Sequence, residues 1–337
     1  MKYGNSGLQG VQLTGVGKAV PEFCLTNDQF AQVIDTSDEW IYTRTGIKER
    51  RVLALDETVL DLALRASQQA LAQAGLVPED LEMVILATST PEDLFGTASL
   101  LATRLGATRA FAFDLTAACT GFVFALATAA QFIRTGSCGR ALVVAADGLT
   151  RFMDWRDRST CVLFGDGAGA VVLEQSPVDQ ILGMELRSDG RNAGMLNIAA
   201  SGPEVEIRED LTIRQNAYQP ISMNGREVYR FAVTAVPDVI EKALHRADID
   251  PHTVRHYFLH QANQRILDAV AERLGVPREC FPSTLAHYAN TSAASIPITM
   301  EEWITQGLLQ PSELMVLAGF GAGLTWGAVV CRWGRVA

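Results

Sequence analysis

The segment AGLVPEDLEMVILATS, residues 74–89, recurs as ADIDPHTVRHYFLHQAN, residues 247–263. The two segments align at an offset of 173 residues, which matches Pro78 to Pro251. Each follows a helical pattern and leads through a proline-containing turn into a short apolar strand. Because repeated order of this kind marks a repeated structural unit, we interpret the chain as an ancient duplication.

The duplication places a boundary near residues 175–180 and predicts an N-terminal half of residues 1–176 and a C-terminal half of residues 177–337. The glycine-rich stretches GDGAGAVVLE and GFGAGLTWG support this division, since each precedes an apolar run that ends its half. Helical and strand patterns alternate along both halves. This alternation predicts an α/β fold with helices packed on sheets.

Composition excludes several classes of protein. A hydrophobic content of 48% with 20% charged residues indicates a large buried core, and a net charge of -10 argues against nucleic acid as a partner. The sequence contains no run of about 18 apolar residues and no signal-peptide pattern, so we expect neither a membrane span nor export. The six cysteines form no CxxC pair and no zinc-spaced cluster. We therefore expect no metal and a cytoplasmic location.

Cys119 lies in DLTAACTGFVFAL, residues 114–126, where an apolar strand ends and a buried helix is predicted to begin at the cysteine itself. The first turn of a helix offers unpaired N–H groups and the positive end of the helix dipole. Both favour a thiolate and can lower a cysteine pKa from ~8.5 into the range ~3.5–7.5. The position therefore indicates a nucleophile, although small buried cysteines are also common in ordinary protein cores.

The duplication predicts partners for this cysteine. Cys119 and Asn290 are expected at corresponding positions, each after small residues and at the start of an apolar helix, and His260 follows the apolar strand that corresponds to Met83–Ala87. Across a pseudo-twofold axis the three would converge at strand ends, where α/β proteins commonly bind ligands. His260 could instead be an ordinary core histidine, and Asn290 only the N-cap of the helix near Thr291.

A local basic patch is the second candidate site. Arg226 and Arg230 lie four residues apart in MNGREVYR and share one face if this segment starts a helix, and Arg265 is a third candidate. Such a patch could receive an acidic partner on an otherwise acidic protein. The alternative is a set of ordinary solvated arginines on a surface helix.

Further motifs occur in order along nearly the whole chain: TSDEWIYTRTGIKER at 36–50, DRSTCVLFGDGAGAVVL at 157–173, LHQANQRI at 259–266, ANTSAASIP at 289–297 and GFGAGLTWG at 319–327. Together with the Cys119 segment they make the chain resemble the β-ketoacyl-acyl-carrier-protein synthase III enzymes of the thiolase-like superfamily. The resemblance implies a thiolase-like duplicated α/β fold, with two pseudo-twofold-related βαβαβαββ halves in five αβαβα layers.

The resemblance also implies the chemistry. An enzyme of this kind condenses a short acyl-CoA, acetyl-CoA by default, with malonyl-acyl-carrier protein in the initiating step of type II fatty acid synthesis. Cys119 would carry the acyl group, and His260 and Asn290 would donate hydrogen bonds to the enolate formed by decarboxylation. The backbone N–H groups of Cys119 and Ala322 would form the oxyanion hole. No metal or organic cofactor is implied, since acyl-CoA and malonyl-acyl-carrier protein are substrates.

Binding roles follow from the same resemblance. The CoA-binding residues would be Trp40, Arg44, Arg158, Gly225 and Asn263, with the adenine held between Trp40 and Arg158. The residues that contact acyl carrier protein would be Gln261, Ala262, Asn263, Gln264, Arg265 and Arg230. Phe95 would reach into the acyl pocket of the partner subunit, which implies a homodimer.

Three features depart from the family pattern and leave the length of the primer open: Thr120 after the nucleophile, Ala289 before Asn290, and Gly96-Thr97 after Phe95. A specialised paralogue of secondary metabolism, with a different primer or acceptor, is the alternative function. A thiolase relative would not need the ANTSAASIP motif, and a non-catalytic subunit would not need the nucleophile. An α/β-hydrolase is not supported, because the sequence has no G-x-S-x-G elbow.

Overall fold

The computed structural model describes residues 8–335, in which helices and strands alternate. The strands are β1 (Gly10–Ala19), β2 (Cys24–Thr26), β3 (Glu49–Arg51), β4 (Met83–Ala87), β5 (Phe111–Leu115), β6 (Arg140–Asp147), β7 (Gly167–Ser176), β8 (Ile181–Ser188), β9 (Leu196–Asn197), β10 (Glu204–Arg208), β11 (Leu211–Arg214), β12 (Ser222–Met223), β13 (His256–Leu259), β14 (Leu314–Gly321) and β15 (Thr325–Arg332). The α-helices are α1 (Asn27–Phe30), α2 (Asp38–Thr45), α3 (Val59–Ala74), α4 (Ala98–Leu105), α5 (Gly121–Arg134), α6 (Gly225–Ala247), α7 (Gln264–Leu274), α8 (Leu285–Tyr288) and α9 (Ser295–Thr305).

Two large sheets share one plan. The first has the strand order β1-β7-β6-β4-β5 and the second the order β13-β14-β15-β8. In the first, β4 is parallel to β5 and β6, and β7 runs antiparallel to β6 and β1. In the second, β13 is parallel to β14, and β15 runs antiparallel to β14 and β8. Strand β13 therefore takes the place of β4, as the repeat predicted.

The second sheet differs from the prediction by one strand. Among the described residues it has four strands, and no strand occupies the place that β5 takes in the first sheet. At the offset of 173 residues its counterpart would fall at 284–288, where the structure has the short helix α8. The backbone just before this helix is bound by the Gln261 side chain, which donates to Pro282 O and accepts from the Thr284 N–H. Pro282 itself has no N–H to offer a neighbouring strand.

Three helical layers alternate with the two sheets. Helices α5 and α9 lie between the sheets and share one hydrophobic core with both of them. Strand β4 shows how the layers form, because Ile85 packs into this central core while Val84 and Leu86 pack into the core beneath α3 and α4. Helices α6 and α7 cover the outer face of the second sheet. The order of layers is αβαβα, as expected for the thiolase-like fold.

The two sheets are joined by a short connection. The last strand of the first sheet ends at Ser176 and the first strand of the second begins at Ile181. We propose that residues 1–176 and 177–337 are the duplicated halves, of which 1–7 and 336–337 lie outside the described residues. Because α5 and α9 share one core, the halves form a single packed unit. No helix within residues 8–335 combines the length and apolarity needed to cross a membrane.

Candidate active site

Cys119 lies on a 3₁₀ turn, Ala118–Thr120, immediately before α5. The helix therefore begins two residues after the cysteine rather than at it. Strand β14 of the second half supports this turn, and a Cβ on Gly321 would lie only 2.7 Å from the Cys119 backbone nitrogen. A glycine at this position lets the two halves approach closely enough to hold the turn.

The prediction of a lowered thiol pKa is wrong for this structure. The Cys119 side chain is almost fully buried, with 6% of the residue exposed. Burial raises the pKa of the Cys119 thiol to about 12, against the smaller opposing effects of the Ser292 hydroxyl and of the cysteine's own backbone N–H. Desolvation therefore outweighs the favourable position before the helix. The resting thiol keeps its proton and needs an acceptor for it when it attacks.

His260 and Asn290 meet Cys119 at a common cavity. His260 directly follows β13, and all three residues line a cavity of about 210 Å³. Cys119 also lines a second, mainly apolar cavity of about 440 Å³, together with Ala322. The nucleophile candidate thus stands between two chambers, one of which contains both of its predicted partners.

His260 is held through Ser295. Its Nδ1 lies 2.9 Å from Ser295 Oγ, which donates its own proton to Ser292 O at 2.8 Å. Since the hydroxyl has one proton, this arrangement places the imidazole proton on Nδ1 and leaves the lone pair on Nε2. Burial lowers the pKa of His260 to about 3, so the ring is neutral.

Asn290 is oriented by the turn that follows it. Its Oδ1 accepts the Ser292 N–H at 2.8 Å, which leaves the amide Nδ2 as a hydrogen-bond donor. Its backbone is fixed on both sides, by Leu163 O and by the Gly165 N–H, each at 3.0 Å. A capping role is therefore compatible with a role in the cavity. The Oδ1 end of the amide caps the turn, and the Nδ2 end remains available to a ligand.

The predicted equivalence of Cys119 and Asn290 is wrong. Cys119 lies two residues before α5, whereas the residue two before α9 is Ala293. Asn290 lies before the second 3₁₀ turn, Ser292–Ala294, rather than on it. The two 3₁₀ turns still pack against each other, which is why the side chains meet although their positions do not correspond.

Ala289 has a strained backbone. It is buried and adopts φ 55° and ψ -152°, a region that is essentially restricted to glycine. Ala289 is also one of the three positions at which the sequence departs from the pattern of the family that it resembles.

We expect Ala289→Gly to stabilise the protein. Relief of the strain, less the greater flexibility of glycine in the unfolded chain, should add about 1 kcal/mol to the free energy of unfolding. Thermal unfolding should show a midpoint ~2 °C higher. Ala286→Gly, in the adjoining helix α8, is the matched control and should lower the midpoint, because glycine weakens a helix. A lower midpoint for Ala289→Gly would contradict the assignment of strain.

Thr120 does not approach the substrate cavities. Its side chain is buried and its Oγ1 donates to Thr325 O at 2.9 Å. It lines neither cavity beside Cys119. The hydroxyl of Thr120 instead joins the nucleophile turn to β15.

Three residues predicted to hold CoA lie together beside the smaller cavity, whose lining residue Asn263 donates to Arg44 O at 3.1 Å. Trp40, on α2, is flanked by the guanidinium carbons of Arg44 at 4.6 Å and Arg158 at 5.3 Å from the ring centre. Arg158 also donates to Asp35 O at 2.7 Å. At these separations the arginines stack on the indole themselves, so an adenine could enter between Trp40 and Arg158 only after Arg158 moves.

Gly225 and Asn263 line the smaller cavity with His260 and Asn290. Gly225 is the first residue of α6, and Asn263 is the N-cap of α7, where its side chain accepts the Arg265 N–H at 2.9 Å. Both positions are therefore at helix starts that face the cavity.

The segment predicted to dock a carrier protein is only partly exposed. Arg265 is exposed and donates to Thr43 O at 2.9 Å, and Arg230 is exposed and pairs with Glu227 at 2.8 Å. Gln264 and Ala262 are half-buried. Gln261 has 0% of its surface exposed, because its amide ties the backbone around Pro282 and Thr284, so its side chain cannot contact a docked protein.

Phe95 lies outside its own active site. It is 99% exposed, in the connection between β4 and α4. A groove beside it, lined also by Gly96 and Asp114, shares Leu94, Thr116 and Tyr218 with the larger cavity. A side chain or ligand that enters this groove from outside can therefore reach the edge of the cavity that Cys119 lines.

Reasoning from the sequence missed three polar residues around the site. Asp147 ends the apolar strand β6, and Ser292 and Ser295 follow Asn290 in ANTSAASIP. Two signals in the sequence could have indicated them. One is a single acidic residue at the end of an apolar strand, and the other is a pair of serines three residues apart. Within residues 8–335 no three His, Cys, Asp or Glu side chains come together as metal ligands.

Comparison with known proteins identifies close relatives. The family model described as 3-oxoacyl-[acyl-carrier-protein] synthase III matches residues 113–190, and that of its C-terminal part matches residues 244–333. The chain is 59% identical to a β-ketoacyl-[acyl-carrier-protein] synthase III of Thermosynechococcus vestitus over 326 residues, 97% of this chain and 99% of the relative.

Solved structures agree with this finding. The 3-oxoacyl-[acyl-carrier-protein] synthase III of Aquifex aeolicus has a TM-score of 0.88 at 42% identity, covering 96% of this chain and 100% of that one. The priming β-ketosynthase of the R1128 polyketide biosynthetic pathway has a TM-score of 0.89 at 32% identity, covering 98% of each chain.

Proposed function

The chain belongs to the 3-oxoacyl-[acyl-carrier-protein] synthase III family, and we propose that it initiates type II fatty acid synthesis. It is a condensing acyltransferase, which joins a short acyl-CoA, acetyl-CoA by default, to malonyl-acyl-carrier protein and yields a 3-oxoacyl-carrier protein, CO2 and CoA. The observation that carries the assignment is the meeting of Cys119, His260 and Asn290 at one cavity.

In the first half-reaction the Cys119 sulfur attacks the thioester carbonyl of the acyl-CoA. The new C–S bond forms first and gives a tetrahedral intermediate, and the bond to CoA breaks when this intermediate collapses, with the acyl chain in the larger, apolar cavity. The backbone N–H groups of Cys119 and Ala322, which line that cavity, stabilise the negative oxygen of the tetrahedral intermediate.

In the second half-reaction malonyl-acyl-carrier protein loses CO2 and forms a thioester enolate. Asn290 donates to the enolate oxygen through Nδ2, the end of its amide that the turn leaves free. His260 donates in the tautomer with its proton on Nε2, which is stabilised when the Ser295 hydroxyl turns from Ser292 O to His260 Nδ1. The enolate carbon attacks the acyl-cysteine, and the C–S bond breaks. The reaction involves no net oxidation or reduction, so it requires no redox cofactor.

Substrate binding uses the mouth of the site. Trp40, Arg44 and Arg158 would bind the nucleotide end of CoA, with Arg158 displaced from the indole by the base. Gly225 and Asn263 would bind the pantetheine arm along the smaller cavity. The six cysteines are unpaired, and we place the enzyme in the cytoplasm because reduced thiols are typical of that compartment.

Acyl carrier protein would dock on the exposed arginines at this mouth. Arg265 and Arg230 provide positive charge on a chain whose net charge is -10, and such a local patch steers an acidic partner.

We expect Arg265→Glu to raise the KM for malonyl-acyl-carrier protein roughly tenfold at low salt, and less at high salt, because charge at an interface mainly affects association. The acylation by acetyl-CoA should change little. Arg273→Glu, at the far end of the same helix and equally exposed, is the control and should leave both values near wild type. An unchanged KM for Arg265→Glu would place the docking surface elsewhere.

A homodimer would form through the free edge of the first sheet. Strand β5 ends that sheet, and apolar side chains are exposed beside it, with Phe111 at 44% and Phe95 at 99%. An exposed apolar edge strand is a surface suited to pairing with a second copy. Phe95 of each copy would then reach the groove that adjoins the other copy's acyl cavity.

We expect Phe111→Asp to shift the protein from dimer to monomer at micromolar concentration, because the substitution buries a charge at the interface. Sedimentation velocity measures the outcome. Leu308→Asp, at a residue with a similar exposure of 47%, should remain dimeric. A monomeric wild-type protein would rule out the homodimer, and a dimeric Phe111→Asp variant would move the interface away from β5.

Intact-protein mass spectrometry tests the function as a whole. Incubation with acetyl-CoA should add one acetyl group, and malonyl-acyl-carrier protein should then discharge it as acetoacetyl-carrier protein. An adduct that malonyl-acyl-carrier protein never discharges would indicate a specialised paralogue with another acceptor. Failure of every short acyl-CoA to form an adduct would contradict the proposal.

A further inference from the structure

Ser292 connects all three residues of the candidate active site. Its hydroxyl donates to Cys119 Sγ at 3.4 Å, and its N–H donates to Asn290 Oδ1 at 2.8 Å. Its carbonyl accepts from Ser295, the partner of His260. The residue is buried and has a φ of 53°, a conformation that directs all of these groups into the site at some backbone cost.

Asp147 lies behind Ser292 at the end of β6. It is 0% exposed, and its Oδ1 accepts from the Ser89 N–H and from the hydroxyls of Thr88 and Thr90, at 2.7–3.2 Å. Its Oδ2 is buried and has no hydrogen-bond partner among the described residues. The turn that carries Ser292 packs on β6, and the Ser292 side chain is one of the groups that favour the ionised form of Asp147.

We propose that Ser292 and Asp147 form a proton relay for the nucleophile. When Cys119 attacks the acyl-CoA, the Ser292 hydroxyl turns its proton from the sulfur toward Asp147 Oδ2. The thiol proton then passes to Ser292 Oγ while the hydroxyl proton of Ser292 passes to Asp147 Oδ2. The S–H bond breaks, the serine keeps one proton throughout, and the carboxylate becomes a neutral acid. The inference rests on the proposed function and adds an acceptor for the thiol proton that this function requires.

The charges favour this route over transfer to His260. Transfer to Asp147 moves one negative charge from the carboxylate to the sulfur and creates no new charge, whereas transfer to the imidazole creates two charges in a buried site. Burial has opposite effects on the two acceptors, since it raises the pKa of Asp147 and lowers that of His260 to about 3. Among the described residues, the hydrogen bond at Cys119 Sγ is with Ser292.

The relay also balances over the whole cycle. The departing CoA thiolate takes its proton from solvent. The acyl-enzyme then persists with Asp147 protonated. When the condensation breaks the acyl–cysteine bond, the proton returns from Asp147 through Ser292 to the released sulfur. No oxidant, reductant or further reactant takes part.

Asp147→Asn is the first test variant. Asparagine has nearly the same shape, and its Oδ1 can keep the three hydrogen bonds that Asp147 Oδ1 accepts, but its amide cannot take up a proton. We expect single-turnover acylation by acetyl-CoA, followed by quenching and mass spectrometry, to be slower by roughly 10²-fold. Ser292→Ala interrupts the same relay and should slow acylation to a similar extent. The double variant should be no slower than either single variant, because both substitutions remove one pathway.

Thr88→Val is the matched control. It removes one hydrogen bond to Oδ1 but leaves Oδ2 and Ser292 in place, so acylation should stay within a few-fold of wild type. Thermal unfolding checks that every variant is folded.

Infrared difference spectroscopy of the wild-type protein gives a second readout that a purely structural role would not affect. Acylation should produce a carboxylic-acid C=O stretching band, and this band should be absent from Asp147→Asn. Acylation of Asp147→Asn at or above the wild-type rate would overturn the proposal, since Asp147 would then act only as a negative charge that disfavours the thiolate. Absence of the band from the wild-type acyl-enzyme would overturn it as well. A wild-type protein that forms no acyl-enzyme would instead contradict the proposed function.

Discussion

Replacing Cys119 by alanine should abolish the acyl-enzyme and lower the rate of condensation by at least about 10⁴-fold. In the proposed mechanism the sulfur joins the two half-reactions, since Cys119 lines both the larger cavity and the cavity of His260 and Asn290. Without it the acyl group has no point of attachment. Mass spectrometry after incubation with acetyl-CoA, and steady-state formation of 3-oxoacyl-carrier protein, measure the two effects.

Cys161→Ala is the matched control for this variant. Cys161 is also a free, fully buried cysteine, but it lines neither cavity. Its replacement should leave the acetyl adduct intact. Acetylation of the Cys119→Ala protein, or loss of the adduct in Cys161→Ala, would show that the nucleophile has been assigned to the wrong residue.

Decarboxylation should survive in Cys119→Ala. The proposed donors for the enolate are on His260 and Asn290, which are anchored through Ser295 and Ser292 rather than through the cysteine. We therefore expect this variant to convert malonyl-acyl-carrier protein slowly to acetyl-carrier protein, with no condensation product.

The repeat in the sequence was sufficient to predict two related α/β units, and the resemblance to the thiolase-like family implied their five layers. The offset between residues 74–89 and 247–263 placed β4 and β13 at the same position in two sheets, and the structure has them there. The missing counterpart of β5 was beyond this reasoning. Helix α8 takes that place, and the Gln261 amide, from another part of the chain, binds the backbone just before it.

The position of Cys119 was predictable, but its titration was not. A cysteine between a strand and a helix can be recognised from local sequence, and the helix begins two residues after the cysteine at which it was predicted to begin. The pKa of the thiol depends on the amount of water around it. That amount is set by β14, some 200 residues away along the chain, where Gly321 lets the strand approach the Cys119 backbone. The same argument applies to Asp147, whose isolation is visible only once the strands are packed.

Replacing Asn290 should impair the second half-reaction while leaving the first intact. The Nδ2 donor serves an oxygen that becomes negative only as CO2 departs, so its loss acts on the transition state of decarboxylation. Asn290→Ala should reduce decarboxylation of malonyl-acyl-carrier protein by roughly 10²–10³-fold, the effect of removing one oxyanion donor. Acetylation of Cys119 by acetyl-CoA should continue.

Asn290→Asp separates two roles of the side chain, the Nδ2 donor to the enolate and the Oδ1 anchor that accepts the Ser292 N–H. Asn290 Oδ1 holds the Ser292 N–H, so the alanine variant loses this hydrogen bond as well as the Nδ2 donor. An aspartate keeps the anchor but presents an acceptor, and a negative charge, to the enolate oxygen. Decarboxylation by Asn290→Asp should therefore be at least as slow as by Asn290→Ala. A rate for Asn290→Asp near that of wild type would show that the anchor to Ser292, and not the Nδ2 donor, is what the reaction requires.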